Sequence, residues 1–194
     1  MTGTTLRLDF AAFPLTLERW NDLEVLFGSR GACGGCWCMV WRLARSEFDR
    51  RKGQGNRHAF KAIVASGVMP GLLGYIGDLP VAWCAVAPRE HYLALERSRV
   101  LKPVDEQPVW SVSCLFVAPG FRRQGLSVRL LGDVVAHANQ CGARIVEGYP
   151  VEPRTPEMPA AFAWTGTASA FRQAGFIEVL RRSPTRTIMR YSYD

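Results

Sequence analysis

The reading of this chain turns on Leu115-Phe116-Val117-Ala118-Pro119-Gly120-Phe121-Arg122-Arg123-Gln124-Gly125-Leu126-Ser127. The run 109–117 is apolar and β-rich with little alternation, the pattern of a strand covered on both faces. Pro119-Gly120 breaks it. Over 125–139 the apolar residues Leu126, Leu130, Leu131, Val134, Val135 and Ala138 recur at helical spacing, and Gly142 stops the helix. The first N–H groups of a helix have no intrahelical acceptor, and the macrodipole makes that end positive. With Arg122 and Arg123 beside it, the junction is suited to an anion, a pyrophosphate in particular. Gly125 lets the backbone approach closely, and Ser127 is too small to obstruct it.

Outward from this segment, 143–149 reads as the next strand, and the strand–helix–strand order implies a right-handed crossover to a parallel neighbour. Upstream, 6–10 reads as a first strand. Thr16 is placed to cap a helix carrying Leu17, Trp20, Leu23 and Phe27. A glycine-, cysteine- and aromatic-rich loop covers 31–41, and helical segments follow at 46–51 and 56–65, divided by Gly53 and Gly55. The runs 72–76 and 81–87 form a hairpin about Gly77-Asp78-Leu79-Pro80. The stretch 89–101 is polar and part helical. Downstream come a long loop over 151–164, a short helix at 167–174 ended by Gly175, and an antiparallel pair at 176–180 and 187–191. The fold class is therefore α/β (α+β): a mixed central sheet with helices on both faces, in one domain spanning 1–194.

Composition agrees with a globular domain, 48% hydrophobic and 21% charged. No run of eighteen apolar residues offers a membrane span. The first ten residues lack a basic segment followed by an apolar one, so a secretory signal is not expected and a reducing, cytoplasmic location is. The net charge of +7 suits an anionic cofactor as well as nucleic acid. No nucleic-acid motif accompanies it, and no nucleic-acid or membrane partner is expected.

Leu115, Val117, Pro119, Arg122 and Gly125 resemble the coenzyme-binding motif of the GNAT N-acetyltransferase superfamily, L-x-V-x-P-x-x-R-x-x-G-x-G/A, with Ser127 at the final small position. Phe171-Arg172-Gln173-Ala174-Gly175-Phe176 resembles a later family motif, a short helix ending in Gly-Phe. The resemblance implies a splayed parallel strand pair and acetyl-CoA as acyl donor, with no metal. It implies that the backbone of Leu115 and Val117 pairs with the pantetheine arm, with Phe116 on the same strand. Arg122, Arg123, Gln124, Gly125, Leu126 and Ser127 would cradle the pyrophosphate, and Phe171 would complete the coenzyme site. The resemblance further implies an amine acceptor, of a small molecule or a protein, and self-association as a homodimer is an expectation of the fold.

Amine acylation calls for a base, an acid for the leaving thiolate and N–H donors at the oxyanion. Amides near Leu115 and Phe116 are the expected donors. Many family members carry Tyr where this chain has Phe171, so the acid is sought elsewhere: Tyr149 as acid, Glu152 as base, and Ser111 positioning a water, with Ser113 and Glu147 as further candidates. The region 29–67 is expected to line the acceptor site through Trp37, Met39 and Trp41. Alternative readings are a coenzyme A-binding module without turnover, and a metal- or redox-responsive protein using Cys33, Cys36 and Cys38, with His58 as a fourth metal ligand.

Overall fold

The structure is a computed structural model that describes residues 9–152 and 163–193. In chain order the elements are β1 (Phe10–Pro14), α1 (Trp20–Phe27), α2 (Arg45–Arg51), α3 (Gln54–Ala65), β2 (Gly71–Ile76), β3 (Leu79–Pro88), α4 (Leu93–Glu96), β4 (Trp110–Val117), α5 (Leu126–Gln140), β5 (Ile145–Gly148), α6 (Ala168–Gln173), β6 (Ile177–Ser183) and β7 (Arg186–Ser192). Among the described residues they build a seven-stranded sheet in the order β1-β2-β3-β4-β5-β7-β6. Only β4 and β5 pair in parallel.

The α5 side of the sheet holds one core, in which Leu126, Leu130, Leu131 and Val134 meet Val112, Leu115, Phe171 and Phe176. The other face holds a second, in which Trp20, Leu23 and Phe27 of α1 and Phe60 of α3 meet Trp37, Leu73 and Trp83. Full burial of each such side chain contributes about 1.5–3 kcal/mol against leaving it in water.

Some boundaries differ from the sequence reading. The first described strand runs from Phe10 to Pro14, while 6–8 lie outside the described residues. Pro14 has no N–H, which an edge strand tolerates. Thr16 does not cap α1: its hydroxyl is buried without a partner, and the helix begins at Trp20. The hairpin turn is only Gly77-Asp78, since Ile76 pairs with Leu79, and Gly77 has the positive φ (56°) such a turn requires. Of the expected loop at 151–164, residues 153–162 lie outside the described residues.

Two features of β4 position the site. Cys114 pairs with Ala85 but Val112 pairs with Val86, so Ser113 is an extra residue in a β-bulge. Past that point β4 continues along β3 as far as Val117↔Ala82. Its pairing with β5 stops at Val112↔Gly148, after three residue pairs. The parallel pair is splayed, as the resemblance implies.

Candidate functional site

The splay opens a cavity of about 410 Å³. One side is the end of β4, with Leu115, Phe116 and Val117. A second is the following loop and the first turn of α5, with Phe121, Arg122, Arg123, Gly125, Leu126 and Ser127. A third is the approach to α6, with Ala163, Trp164, Gly166, Thr167 and Ala170. Ala32 and Cys33 of the glycine-cysteine loop complete the lining.

The second side presents backbone donors. The N–H groups of Phe121 and Arg122 bond back to Ala118 and Pro119, and those of Val128 and Arg129 bond to the Gly125 carbonyl. Among the described residues none of the N–H groups from Arg123 to Ser127 donates to a backbone carbonyl. Arg123 (φ 62°) and Gly125 (φ 75°) both adopt the left-handed conformation that turns successive N–H groups outward into an anion-binding concavity. A Cβ built on Gly125 would meet nothing within 4 Å, so this backbone faces open space. Ser127 and the two arginines add a hydroxyl and positive charge.

The β4 side is more engaged than the sequence suggests. The Leu115 N–H donates to the Trp164 carbonyl at 2.8 Å, across the gap. The Val117 carbonyl accepts the Nε–H of Arg122 at 2.9 Å, which ties the loop to the strand. Phe116 is paired with Trp83, and the next even-numbered amide, Ala118, donates to Val81. By the alternation of an antiparallel ladder the Phe116 amide therefore points at β3 and away from the gap. Gln124 does not line the cavity; its side-chain amide donates to the Gly120 carbonyl at 3.2 Å.

Phe171 carries no exposed surface. It packs edge-on against Phe176 at 4.9 Å and fills the space between Gly148 and Gly166, so it supports the cavity from behind without lining it.

The expected acid–base residues also lie off the cavity lining. Tyr149 and Ser111 are fully buried. The Tyr149 hydroxyl donates to Glu147 at 2.8 Å, accepts from Arg89 at 2.6 Å and lies 2.7 Å from the Ser111 hydroxyl. Glu147, also fully buried, is held by Arg89 at 3.1 Å and Arg190 at 2.8 Å. This network clamps the closed end of the sheet. Burial, then the Glu147 carboxylate, push the Tyr149 hydroxyl well above its ordinary pKa, which makes it a poorer acid. Glu152 forms ion pairs with Arg172 and Arg181; the hydrogen bond from Arg172 is the main cause holding its carboxyl below the usual range. That makes it a weaker base.

In the 29–67 region, Trp37 and Met39 are buried in the α1–α3 core. Trp41 stacks on Trp164 with centroids 5.8 Å apart and planes 27° apart, which sets it behind the cavity wall. Cys33 is exposed, Cys36 half-buried and Cys38 buried, and no cluster of three or more metal-ligand groups forms among the described residues. Trp164, Thr167 and Ala170 are among the lining residues that the sequence reading missed. Their signal was a Gly166-Thr167 helix start, where the Thr167 hydroxyl accepts from Ala170 N–H.

The family model described as the acetyltransferase (GNAT) family matches residues 37–158. The fold is similar to that of a putative GNAT-family acetyltransferase from Desulfovibrio desulfuricans, at 16% identity over 94% of this chain and 98% of that one, with a TM-score of 0.53. It is similar to PaiA N-acetyltransferase from Thermoplasma acidophilum, solved with coenzyme A, at 12% identity over 95% and 99% of the two chains and a TM-score of 0.53. It is also similar to YncA, a putative acetyltransferase from Salmonella typhimurium solved with acetyl-CoA, at 13% identity over 95% and 94%, with a TM-score of 0.53. At these identities the likeness concerns the fold. No curated protein sequence matches the chain significantly.

Proposed function

Because the chain belongs to the GNAT acetyltransferase family, we propose that it transfers an acetyl group from acetyl-CoA to an amine, by direct attack within a ternary complex. The observation that carries this reading is the row of outward N–H groups from Arg123 to Ser127, set beside the gap between β4 and β5. Those donors, with Arg122 and Arg123, suit a pyrophosphate. Leu115 and Val117 would hold the pantetheine arm as a strand is held, and Leu115 would exchange the Trp164 carbonyl for it. The coenzyme supplies an acyl thioester already activated toward nucleophiles.

This chain's own contribution is placement. β4 is fixed on one side by β3 and at its base by the Glu147 clamp, so the cavity wall is rigid where an acceptor would meet the thioester. Among the described residues the titratable side chains lining the cavity are Cys33, Arg122 and Arg123. None of these is a carboxylate or an imidazole, so we give the amine's proton to solvent and assign Tyr149, Ser111 and Glu152 to holding the frame. The approach beside Trp164, which Trp41 backs, is the acceptor's entrance in this reading, in place of Trp37 and Met39.

The test is release of coenzyme A thiol from acetyl-CoA across a panel of primary amines, with coenzyme binding measured by calorimetry. Amine-dependent thiol release is expected. Tight coenzyme binding without release for any amine would favour the second reading, a binding module without turnover, which the burial of Phe171 at the family's tyrosine position makes specific.

A further inference from the structure

Beneath the glycine-cysteine loop, outside the cavity, a group of thiols converges with a buried cation. Cys38 is 6% exposed. Its sulfur receives the Trp83 indole N–H at 3.1 Å, and Cys114 of β4 packs against the same buried cluster. The Arg42 guanidinium is near enough for its charge to act on the same sulfur. Cys38 of the loop thus meets an N–H donor from β3, a second thiol from β4 and the charge of an arginine.

Arg42 is itself 7% exposed, and among the described residues no carboxylate lies within ion-pair reach of it. It touches the Tyr92 hydroxyl at 3.3 Å and stands 4.5 Å from that ring's centre, and its Nε–H is buried without any partner. A buried guanidinium is always charged and is costly without an anion. The acidic groups beside it are thiols. Cys36 is pushed up to about 12, chiefly by burial, and Cys114 is raised well above its ordinary value, chiefly by its hydrogen bond to Cys38. Cys38 moves the other way, chiefly through the hydrogen bond from Cys114 and despite its burial. The backbone here is unusual as well: Trp37 (φ 46°) and Cys38 (φ 54°) both occupy the left-handed region that bulky side chains rarely adopt, so the surrounding packing must impose it.

We propose that Cys38 is a resident thiolate with Cys114 as its resolving partner, and that the pair is a modification site for hydroperoxides which closes into a disulfide between the glycine-cysteine loop and β4. The Cys38 sulfur attacks one peroxide oxygen. The O–O bond breaks, hydroxide leaves, and Cys38 becomes a sulfenic acid, oxidised by two electrons. The Cys114 sulfur then attacks Cys38: the S–S bond forms, the S–O bond breaks, and the oxygen leaves as water with the Cys114 proton. The cross-link would remove the anion that Arg42 faces and fasten the loop to β4 one residue before Leu115. This goes beyond acyl transfer and does not rest on it.

The test uses the full chain in its native state, treated with near-stoichiometric hydrogen peroxide, then denatured, alkylated and mapped by peptide mass spectrometry. A Cys38–Cys114 linked peptide lacking two hydrogens is expected ahead of oxidation at the exposed Cys33 and Cys141, and a thiol reductant should reverse it. In Cys114→Ser, dimedone should label Cys38. In Arg42→Met, the rate at Cys38 should fall about tenfold as the thiolate is lost. Oxidation of Cys33 or Cys141 while Cys38 and Cys114 remain alkylatable would overturn the proposal, as would a Cys33–Cys36 disulfide formed first. Should Arg42→Met fail to fold, as its circular dichroism would reveal, Cys114→Ser decides alone: no dimedone adduct on Cys38 means no sulfenic acid and no site.

Discussion

Phe171 occupies α6 with no exposed surface, wedged between Gly148 and Gly166 against Phe176. Restoring the family's tyrosine by Phe171→Tyr would put a hydroxyl into an apolar cluster. We expect a loss of about 1–3 kcal/mol in urea unfolding from the unpaired group, and no rise in kcat. A rise would show that this position reaches the reacting atoms. Gly125 presents the opposite case, a left-handed residue facing open space. Gly125→Ala should cost about 1 kcal/mol of stability through backbone strain. It should weaken coenzyme A binding about tenfold in calorimetry, because a methyl group would enter the space a pyrophosphate needs. Glu152→Gln, which only loosens two ion pairs, should leave kcat within about threefold of the parent.

At the scale of elements, the bulge at Ser113 and the clamp around Glu147 act together: one bends β4 away from β5, the other anchors its base. Glu147→Gln leaves Arg89 and Arg190 facing each other with half their partner gone, so we expect about 3–5 kcal/mol of destabilisation by denaturant titration. Gly148→Ala should disturb the same region sterically, since its Cβ would fall 2.0 Å from the Phe171 ring. Much of this layout was legible in the sequence. The stripe from Leu126 to Ala138 is buried as its spacing implied, and the predicted hairpin, crossover and closing antiparallel pair all occur. The insertion of β7 between β5 and β6 was not legible, because strand order depends on contacts distant in sequence. In the site, the Arg122–Ser127 turn was legible because a helix start is a local event. The isolation of Tyr149 and Ser111 was not, since it depends on Arg89 arriving from the far end of β3. Trp37 and Met39 were misplaced for a related reason: aromatic richness alone does not say which side of a loop faces the core.

At the scale of the molecule, the chain carries 24 basic and 17 acidic side chains, and among the described residues eight carboxylates pair with an arginine. Asp105 is held below its usual pKa chiefly by Arg190, Glu152 chiefly by Arg172 and Glu178 chiefly by Arg181. A carboxyl depressed by folding stabilises the native state fully above its unfolded pKa of about 4, and that contribution disappears as the pH falls through the lower folded value. The urea midpoint should therefore hold steady near neutrality and decline once the pH drops below about 4.5. The decline should be shallower at high salt, where these exposed pairs already contribute less. A midpoint unchanged between neutral pH and pH 3 would show that the pairs add nothing.

The stacked indoles of Trp41 and Trp164 carry one more consequence. Two such chromophores at 5.8 Å couple their electronic transitions, so the pair should give a bisignate band in circular dichroism. Trp164 also offers its carbonyl to Leu115, across the gap where we place the pantetheine arm. Filling that gap should shift Trp164 and collapse the band, giving the protein a built-in optical signal of occupancy that requires no label and no turnover.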